Sequence, residues 1–148
     1  MPARKNPSAA NDKFRQDALA CAQAAIDKKG IEPVLLDLTQ AGSYTDYLLI
    51  TSAHADRQVR AVAEGIVSAM EERGVRLLGA EGLREGHWAL LDFGDTVVHV
   101  FEHPLREFYD LEGMWFDAPR LPLQIPADLR LDAQSAYRYD DDEQPARP

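Results

Sequence analysis

The chain has 148 residues, a formal net charge of −9 at pH 7 and one cysteine. This length predicts one domain with a sizeable core, and a lone cysteine excludes an internal disulfide framework and fits a reducing cytoplasm. The acidic balance disfavours binding to the backbone of DNA or RNA and favours a basic protein partner. The sequence contains no apolar run long enough to span a membrane, so we expect a cytoplasmic protein without membrane contact.

The N-terminal part is predicted to be a short flexible segment followed by a helix. Residues 1–10 contain two prolines and no periodic pattern, which is typical of a flexible terminus. Asn11 or Asp12 can cap a helix that Gly30 ends. The apolar stripe of this helix consists mostly of small residues and includes Cys21, which we interpret as a small core residue.

Strands and a second helix are predicted next, in the order β-β-α-β. Segments 33–38 and 46–51 are nearly continuous apolar runs, a pattern typical of strands covered on both faces of an α/β sheet. Residues 56–73 carry apolar side chains at helical spacing, and 75–78 is predicted to be a short third strand.

The stretch 87–101 is predicted to be a β-hairpin, because apolar and β-branched residues fill both halves and a glycine supplies the reversal. With Phe93–Gly94 as a two-residue loop, Asp92 would face Asp95. Two carboxylates directly opposite each other repel, so this end of the hairpin requires a cation. That cation is either Arg106 of the same chain or a basic group of a partner.

In the same register Trp88 would face His99, and one face of the hairpin would combine aromatic and acidic side chains. That face comprises Trp88, Leu90, Asp92, Asp95, Val97, His99 and Phe101.

A last helix is predicted to begin at Pro104 and to carry several aromatic residues. The element order α-β-β-α-β-β-β-α then predicts an α/β fold, a mixed five-stranded sheet flanked by helices. We expect residues 11–118 to form the domain. We expect residues 119–148 to be a proline-containing, acidic C-terminal tail that is largely disordered.

The sequence offers no complete catalytic or metal-binding motif. Its histidines do not share one helical face, and neither a nucleophile elbow nor a phosphate-binding loop of the Walker type is present. We therefore expect no metal site, no cofactor and no enzymatic activity.

One incomplete site leads to an alternative function. Gly42-Ser43 followed by Asp46 resembles the site of nucleotidyltransferases, in which a second carboxylate helps to hold catalytic magnesium. Leu48 stands at that second position, and a single carboxylate is a weak anchor for such a metal. We expect a nucleotidyltransferase-like fold without a complete active site, and a nucleotide-binding protein is the alternative function.

The C-terminal half concentrates aromatic residues among charges, a composition typical of interface hot spots. Within it, Gly86–Phe101 followed by Arg106–Trp115 closely resembles the bacterial ribosomal silencing factor family, also called iojap-like proteins. Residues 46–50 and 57–58 fit the same pattern, so the resemblance extends from about residue 17 to residue 118. Where the family usually has a serine-glycine turn, this chain has residues 52–56.

The resemblance implies a non-catalytic repressor of translation. Such proteins bind the large ribosomal subunit through large-subunit ribosomal protein fourteen and sterically block its joining with the small subunit. A role in assembly of the large subunit and homodimer formation are also implied, and a dimer that buries the aromatic face is a further hypothesis. By the same resemblance, partner contacts are expected at Trp88, Asp92, Phe93, Asp95, His99, Arg106, Tyr109 and Trp115, with Trp115 either in the core or at the interface.

Overall fold

A five-stranded mixed β-sheet is the centre of the fold within residues 7–131, the part of the chain that the computed structural model describes. The strands are β1 Ile31–Asp37, β2 Tyr47–Ala53, β3 Gly79–Glu81, β4 Trp88–Asp92 and β5 Thr96–Glu102. Their spatial order is β1-β2-β5-β4-β3. The pair β2 and β5 is parallel, and the other neighbouring pairs are antiparallel. The predicted mixed five-stranded sheet is thus confirmed.

Helices cover both faces of this sheet. They are α1 Pro7–Asp27, α2 Asp56–Glu72, α3 His103–Tyr109 and α4 Leu111–Met114. Leu49 of β2 packs in the cluster that α1 and α2 share. Its neighbours Leu48 and Ile50 point the other way, into a cluster with Phe101 and with Leu105 of α3. Because β2 is buried on both sides, its sequence is nearly continuously apolar, as predicted.

Small residues allow α1 to approach the sheet closely. Ala18, Cys21, Ala22 and Ala25 are fully buried. Burial, and next the negative charge of Asp17, raise the pKa of the Cys21 thiol to about 12. The thiol is therefore a neutral core group, in agreement with its interpretation as a small core residue.

The first helix begins at Pro7 and not at Asn11, so residues 7–10 are helical although a flexible segment was expected over 1–10. The fixed φ of proline suits the first turn of a helix, where its missing N–H costs nothing. Residues 1–6 lie outside the described residues. The second helix begins after Ala55 without a side-chain cap.

The third strand lies at Gly79–Glu81 and not at the predicted residues 75–78. Val75 and Leu77 instead pack against the core on the α1 and α2 side. Pairing with β4 begins where the N–H of Leu78 donates to the carbonyl of Asp92 over 2.7 Å. Residues 75–78 therefore connect α2 to the sheet, and Val75 and Leu77 fill part of the core on the way. The glycine-rich segment after them forms the edge strand β3.

The hairpin of β4 and β5 forms as predicted, but its loop lies one residue later. Asp92 pairs with Val97 and not with Asp95. The N–H of Phe93 donates to the carbonyl of Thr96 over 2.9 Å and closes the loop. The two carboxylates therefore do not face each other across the hairpin, and the predicted repulsion between them is wrong.

Gly94 explains this register. Its φ is +92°, and the turns that favour two-residue hairpin loops, types I′ and II′, require a positive φ at the first loop position. Gly94 therefore takes the first loop position and Asp95 the second. Trp88 consequently pairs with Phe101 and not with His99. Each residue of β4 thus pairs with a residue of β5 that lies two positions further along the chain than predicted. Because side chains alternate between the two faces of a strand, a shift of two positions leaves every side chain on its predicted face.

The predicted last helix is divided into α3 and α4 at Asp110, which adopts a left-handed conformation with φ +46°. The side chain of Asp110 accepts a hydrogen bond from the N–H of Gly113 over 3.2 Å and so caps α4. This break changes the direction of the chain directly after Tyr109 and places α4 beside α3.

Residues 119–131 form a C-terminal strap along β1, although a largely disordered tail was expected from residue 119 onward. The N–H of Asp37 donates to the carbonyl of Pro119, and that of Leu121 donates to the carbonyl of Leu35, each over 2.8 Å. β1 is an edge strand whose free backbone groups need partners, and the strap supplies them. Residues 132–148 of the predicted tail lie outside the described residues.

None of the helices within residues 7–131 has the length and apolar character needed to cross a membrane.

Leu121→Ala should lower the free energy of unfolding by about 2–3 kcal/mol, because the side chain of Leu121 anchors the strap in the core and its truncation leaves a cavity. Urea titration measures this change. Leu78→Ala is the matched control, since the same atoms are removed from an exposed side chain and at most about 0.5 kcal/mol should be lost. Equal losses in the two variants would contradict a packed strap.

Candidate protein-docking surface

Three aromatic rings from different elements pack together at the end of the sheet where α3 crosses it. The ring centroids of Trp88 and Phe101 are 4.8 Å apart, and those of Trp88 and Tyr109 are 4.6 Å apart. We call Trp88, Phe101 and Tyr109 the aromatic stack. Phe101 is fully buried, Trp88 is half-buried, and Tyr109 is 47% exposed. The stack therefore extends from the core to solvent.

Exposed apolar side chains continue from this stack. Phe108 is 77% exposed and packs edge-on against Tyr109, with ring centroids 5.0 Å apart. Met114 and Phe116, in and after α4, are also exposed. Phe108, Met114 and Phe116 were not among the contact residues predicted from the sequence. Phe108 thus extends the exposed apolar surface of the stack, and contiguous exposed apolar surface is typical of protein-binding sites.

Strand β4 connects the aromatic stack to the hairpin loop. Its side chains alternate between half-buried and buried, so Trp88, Leu90 and Asp92 share the accessible face. Four residues of strand place Trp88 and Asp92 about 13 Å apart. Trp88 and Tyr109 therefore form an aromatic end, and Asp92 an acidic end, of one accessible strip along β4, and we call this strip the docking face.

The acidic end is held by the hairpin loop. Asp92 accepts a hydrogen bond from the N–H of Gly94 over 2.8 Å, and both Asp92 and Asp95 are half-buried. Burial, and next the charges of Asp46 and Asp17, raise the pKa of Asp95, whereas the charge of Lys13 on α1 acts in the opposite direction. A cation from a partner would relieve this unfavourable environment.

Tyr44 is an additional accessible residue near this end, which sequence reasoning missed. It precedes β2 and is largely exposed. Burial of part of the phenol, together with the charge of Asp92, raises its pKa. Because Tyr44 is far from the hairpin in the sequence, no local sequence pattern predicts that it lies near Asp92.

Arg106 does not pair with Asp92 or Asp95, so of the two alternatives for a cation at this end of the hairpin, the internal one is wrong. Arg106 is 2% exposed. Its guanidinium forms a bidentate ion pair with Glu112, with N–O distances of 3.0 and 3.1 Å. It also donates to the carbonyl of Ile31 over 3.0 Å. With these partners, Arg106 has no surface to offer to another protein.

Phe93 and His99 are also buried, at 6% and 5% exposure. Phe93 packs on the opposite face of the sheet, in the cluster that contains α1 and α2. The structure thus does not present Phe93, His99 or Arg106 as contact residues. Trp115 is half-buried and packs against the cluster beneath α3 and α4, so it belongs in part to the core.

His99 lies beneath the aromatic stack and contacts its central residue. The indole Nε1 of Trp88 donates to Nδ1 of His99 over 2.9 Å. Nε2 of His99 is buried and has no hydrogen-bond partner within the described residues. Burial lowers the pKa of His99 to about 4, so the imidazole is neutral near pH 7.

The remaining histidines belong to no metal centre within the described part of the chain. His87 pairs with Glu102 over 2.7 Å, and the buried His103 lies 3.3 Å from the hydroxyl of Ser52. Within residues 7–131, no group of three or more histidine, cysteine or acidic side chains is arranged to hold a metal ion. A nucleotide-binding function stays a prediction, because nothing in this geometry tests it.

Comparisons with known proteins agree on one family. A family profile described as "Ribosomal silencing factor during starvation" matches residues 11–147. A ribosomal silencing factor of Bacillus subtilis is 41% identical over 112 residues, which cover 75% of this chain and 95% of that protein. A chloroplastic Iojap protein of Zea mays is 29% identical over 113 residues, which cover 76% of this chain and 48% of that protein.

A solved structure is similar as well. The crystal structure of a protein from Chromobacterium violaceum superimposes with a TM-score of 0.68 at 30% sequence identity. The match covers 77% of this chain and 94% of that chain. The resemblance identified on the hairpin and the last helix is confirmed by these comparisons.

Arg106→Met should lower the free energy of unfolding by about 3–5 kcal/mol, because it leaves the carboxylate of Glu112 without its cation and removes the hydrogen bonds to the carbonyls of Ile31 and Glu32. Chemical denaturation measures the loss. The double variant Arg106→Met/Glu112→Leu should recover part of it, since the unpaired charge is also removed. A double variant less stable than the single one would contradict this account.

Acidification should destabilise the protein through His99. Its pKa is 6.5 in the unfolded chain and about 4 in the folded one, so between these values the unfolded chain binds more protons. Stability is therefore unaffected by this group above pH 6.5 and falls as the pH decreases, by about 2 kcal/mol between pH 7 and pH 5.

The measurement is the free energy of unfolding at pH 7 and pH 5 for the wild type and for His99→Leu. His99→Leu cannot take up this proton. Between pH 7 and pH 5 its free energy of unfolding should therefore fall by about 2 kcal/mol less than that of the wild type. The same pH dependence in both proteins would show that His99 does not titrate in this way.

Proposed function

Because this chain belongs to the ribosomal silencing factor family, we propose that it is a repressor of translation that binds the large ribosomal subunit. The contact is made through large-subunit ribosomal protein fourteen, and the bound chain sterically blocks joining with the small subunit. The accessible docking face of β4 and α3 is the observation that carries this proposal. Its half-buried indole and exposed phenol match the composition of interface hot spots.

Charge supports a basic protein partner over RNA. The chain carries a net charge of −9, which disfavours contact with RNA phosphates. Asp92 lies at one end of the docking face, and Asp95, in the adjoining hairpin loop, is in an environment that disfavours its own charge. Lysine or arginine side chains of the partner would pair with these carboxylates. Such complementary charges increase the association rate and fix the register of the complex.

The proposal narrows the predicted contact residues to those that are accessible. Direct contacts are assigned to Trp88, Asp92, Asp95, Tyr109 and the exposed part of Trp115. The buried residues of the predicted set, Phe93, His99 and Arg106, stabilise the fold that presents this face. The chain works without catalysis, in the cytoplasm, and also takes part in assembly of the large subunit.

A second copy of the chain is a further partner in this proposal. The exposed side chains of Phe108 and Met114 offer apolar area beside the docking face. A homodimer that covers this area would compete with the ribosome for part of the same surface. Free dimers and bound monomers would then exchange according to the concentration of large subunits.

Asp92→Asn and Tyr109→Ala should weaken binding to isolated large subunits, by several-fold and by about tenfold respectively. The asparagine keeps the acceptor for the N–H of Gly94 and removes only the charge. The affinity of Asp92→Asn should therefore also depend less on salt concentration. Glu64→Gln is the matched control, because it removes an exposed carboxylate from α2 on the opposite face of the sheet.

Binding is measured by co-sedimentation of purified chain with isolated large subunits over a range of concentrations. Equal affinities for the wild type and for both docking-face variants, with folded protein in each case, would reject this face as the contact surface.

A further inference from the structure

The indole of Trp88 has a defined orientation because its one polar atom is bound from below. Nε1 donates to Nδ1 of His99 over 2.9 Å, and the two rings are tilted by 43° with centroids 5.9 Å apart. Phe101 and Tyr109 contact the same indole. These ring contacts restrict the plane of the indole, whereas the hydrogen bond determines which edge points into the protein.

This bond also determines the state of the imidazole. Nδ1 of His99 must carry a lone pair to accept from Trp88, so the neutral ring bears its proton on Nε2. Nε2 is buried without a hydrogen-bond partner within the described residues, which costs stability. An apolar side chain of similar size would avoid this cost. The benefit of a histidine here is therefore its hydrogen bond to Trp88.

We infer that His99 is a positioning residue of the docking face, which holds the indole of Trp88 in the single orientation that the partner contacts. The inference rests on the proposed function. Without the acceptor, the indole N–H would turn toward water and Trp88 would exchange among several rotamers. Binding would then have to select one of them, which lowers the affinity even though His99 itself touches no partner.

Two substitutions of nearly equal shape separate the hydrogen bond from the packing. His99→Leu removes the acceptor, whereas His99→Asn places an amide oxygen where Nδ1 stood. The first readout is the indole N–H resonance of Trp88 in a ¹H–¹⁵N spectrum of the free protein, assigned by comparison with Trp115→Phe. His99→Leu should shift this resonance and accelerate its exchange with water. His99→Asn should largely restore both properties.

The second readout is the affinity for isolated large subunits, measured by co-sedimentation. His99→Leu should weaken binding by about tenfold, and His99→Asn should recover most of the loss. Trp88→Phe has no indole N–H, so adding His99→Leu to it should change the affinity no further. A merely structural role of His99 would weaken binding equally in both backgrounds.

The inference is overturned if His99→Leu leaves the indole resonance unchanged, or if it frees the indole and binding stays at the wild-type level. It is also overturned if the losses from His99→Leu and Trp88→Phe are additive. A failure of the proposed function looks different, since the wild type itself would then fail to bind large subunits. The inferred docking role of His99 would fall with it.

Discussion

A buried guanidinium joins the parts of this fold that carry the docking face. Arg106 lies on α3, pairs with Glu112 of α4, and donates to the hydroxyl of Ser52 on β2 and to the carbonyl of Glu32 on β1. The carboxylate of Glu32 in turn accepts the N–H of Leu131 at the end of the strap. A buried charge is tolerated only when it is fully paired, so these elements must assemble together. The position of α3, and with it the docking face, depends on this network.

The docking face itself combines two kinds of support. The aromatic stack is anchored in the core by Phe101, and its outer member Tyr109 reaches solvent. The acidic end is fixed by a hairpin loop whose geometry depends on Gly94. Rigid placement of both ends before binding reduces the entropy lost on association. Family membership indicates a ribosome-associated role. The accessibility of each side chain is the basis on which we propose it as a contact residue or as a supporting residue.

Much of this fold follows from local pattern, because strand and helix periodicities directly determine which side chains are buried. The two-sided burial of β2 and the shared face of Trp88 and Phe101 could be predicted in this way. The burial of Arg106 could not, since its partner Ile31 lies 75 residues away in the chain. The strap was missed for a related reason. Its prolines exclude a long α-helix, yet Leu121 still packs in the core beside the edge strand β1.

A subunit-joining experiment tests most directly whether the chain represses translation by occupying the large subunit. Isolated large and small ribosomal subunits are mixed with increasing amounts of the chain and separated on a density gradient. We expect the chain to sediment with free large subunits, assembled ribosomes to decrease in proportion, and Tyr109→Ala to require a higher concentration for the same effect. Unchanged assembly of ribosomes at saturating chain, or binding to small subunits instead, would contradict this mode of repression.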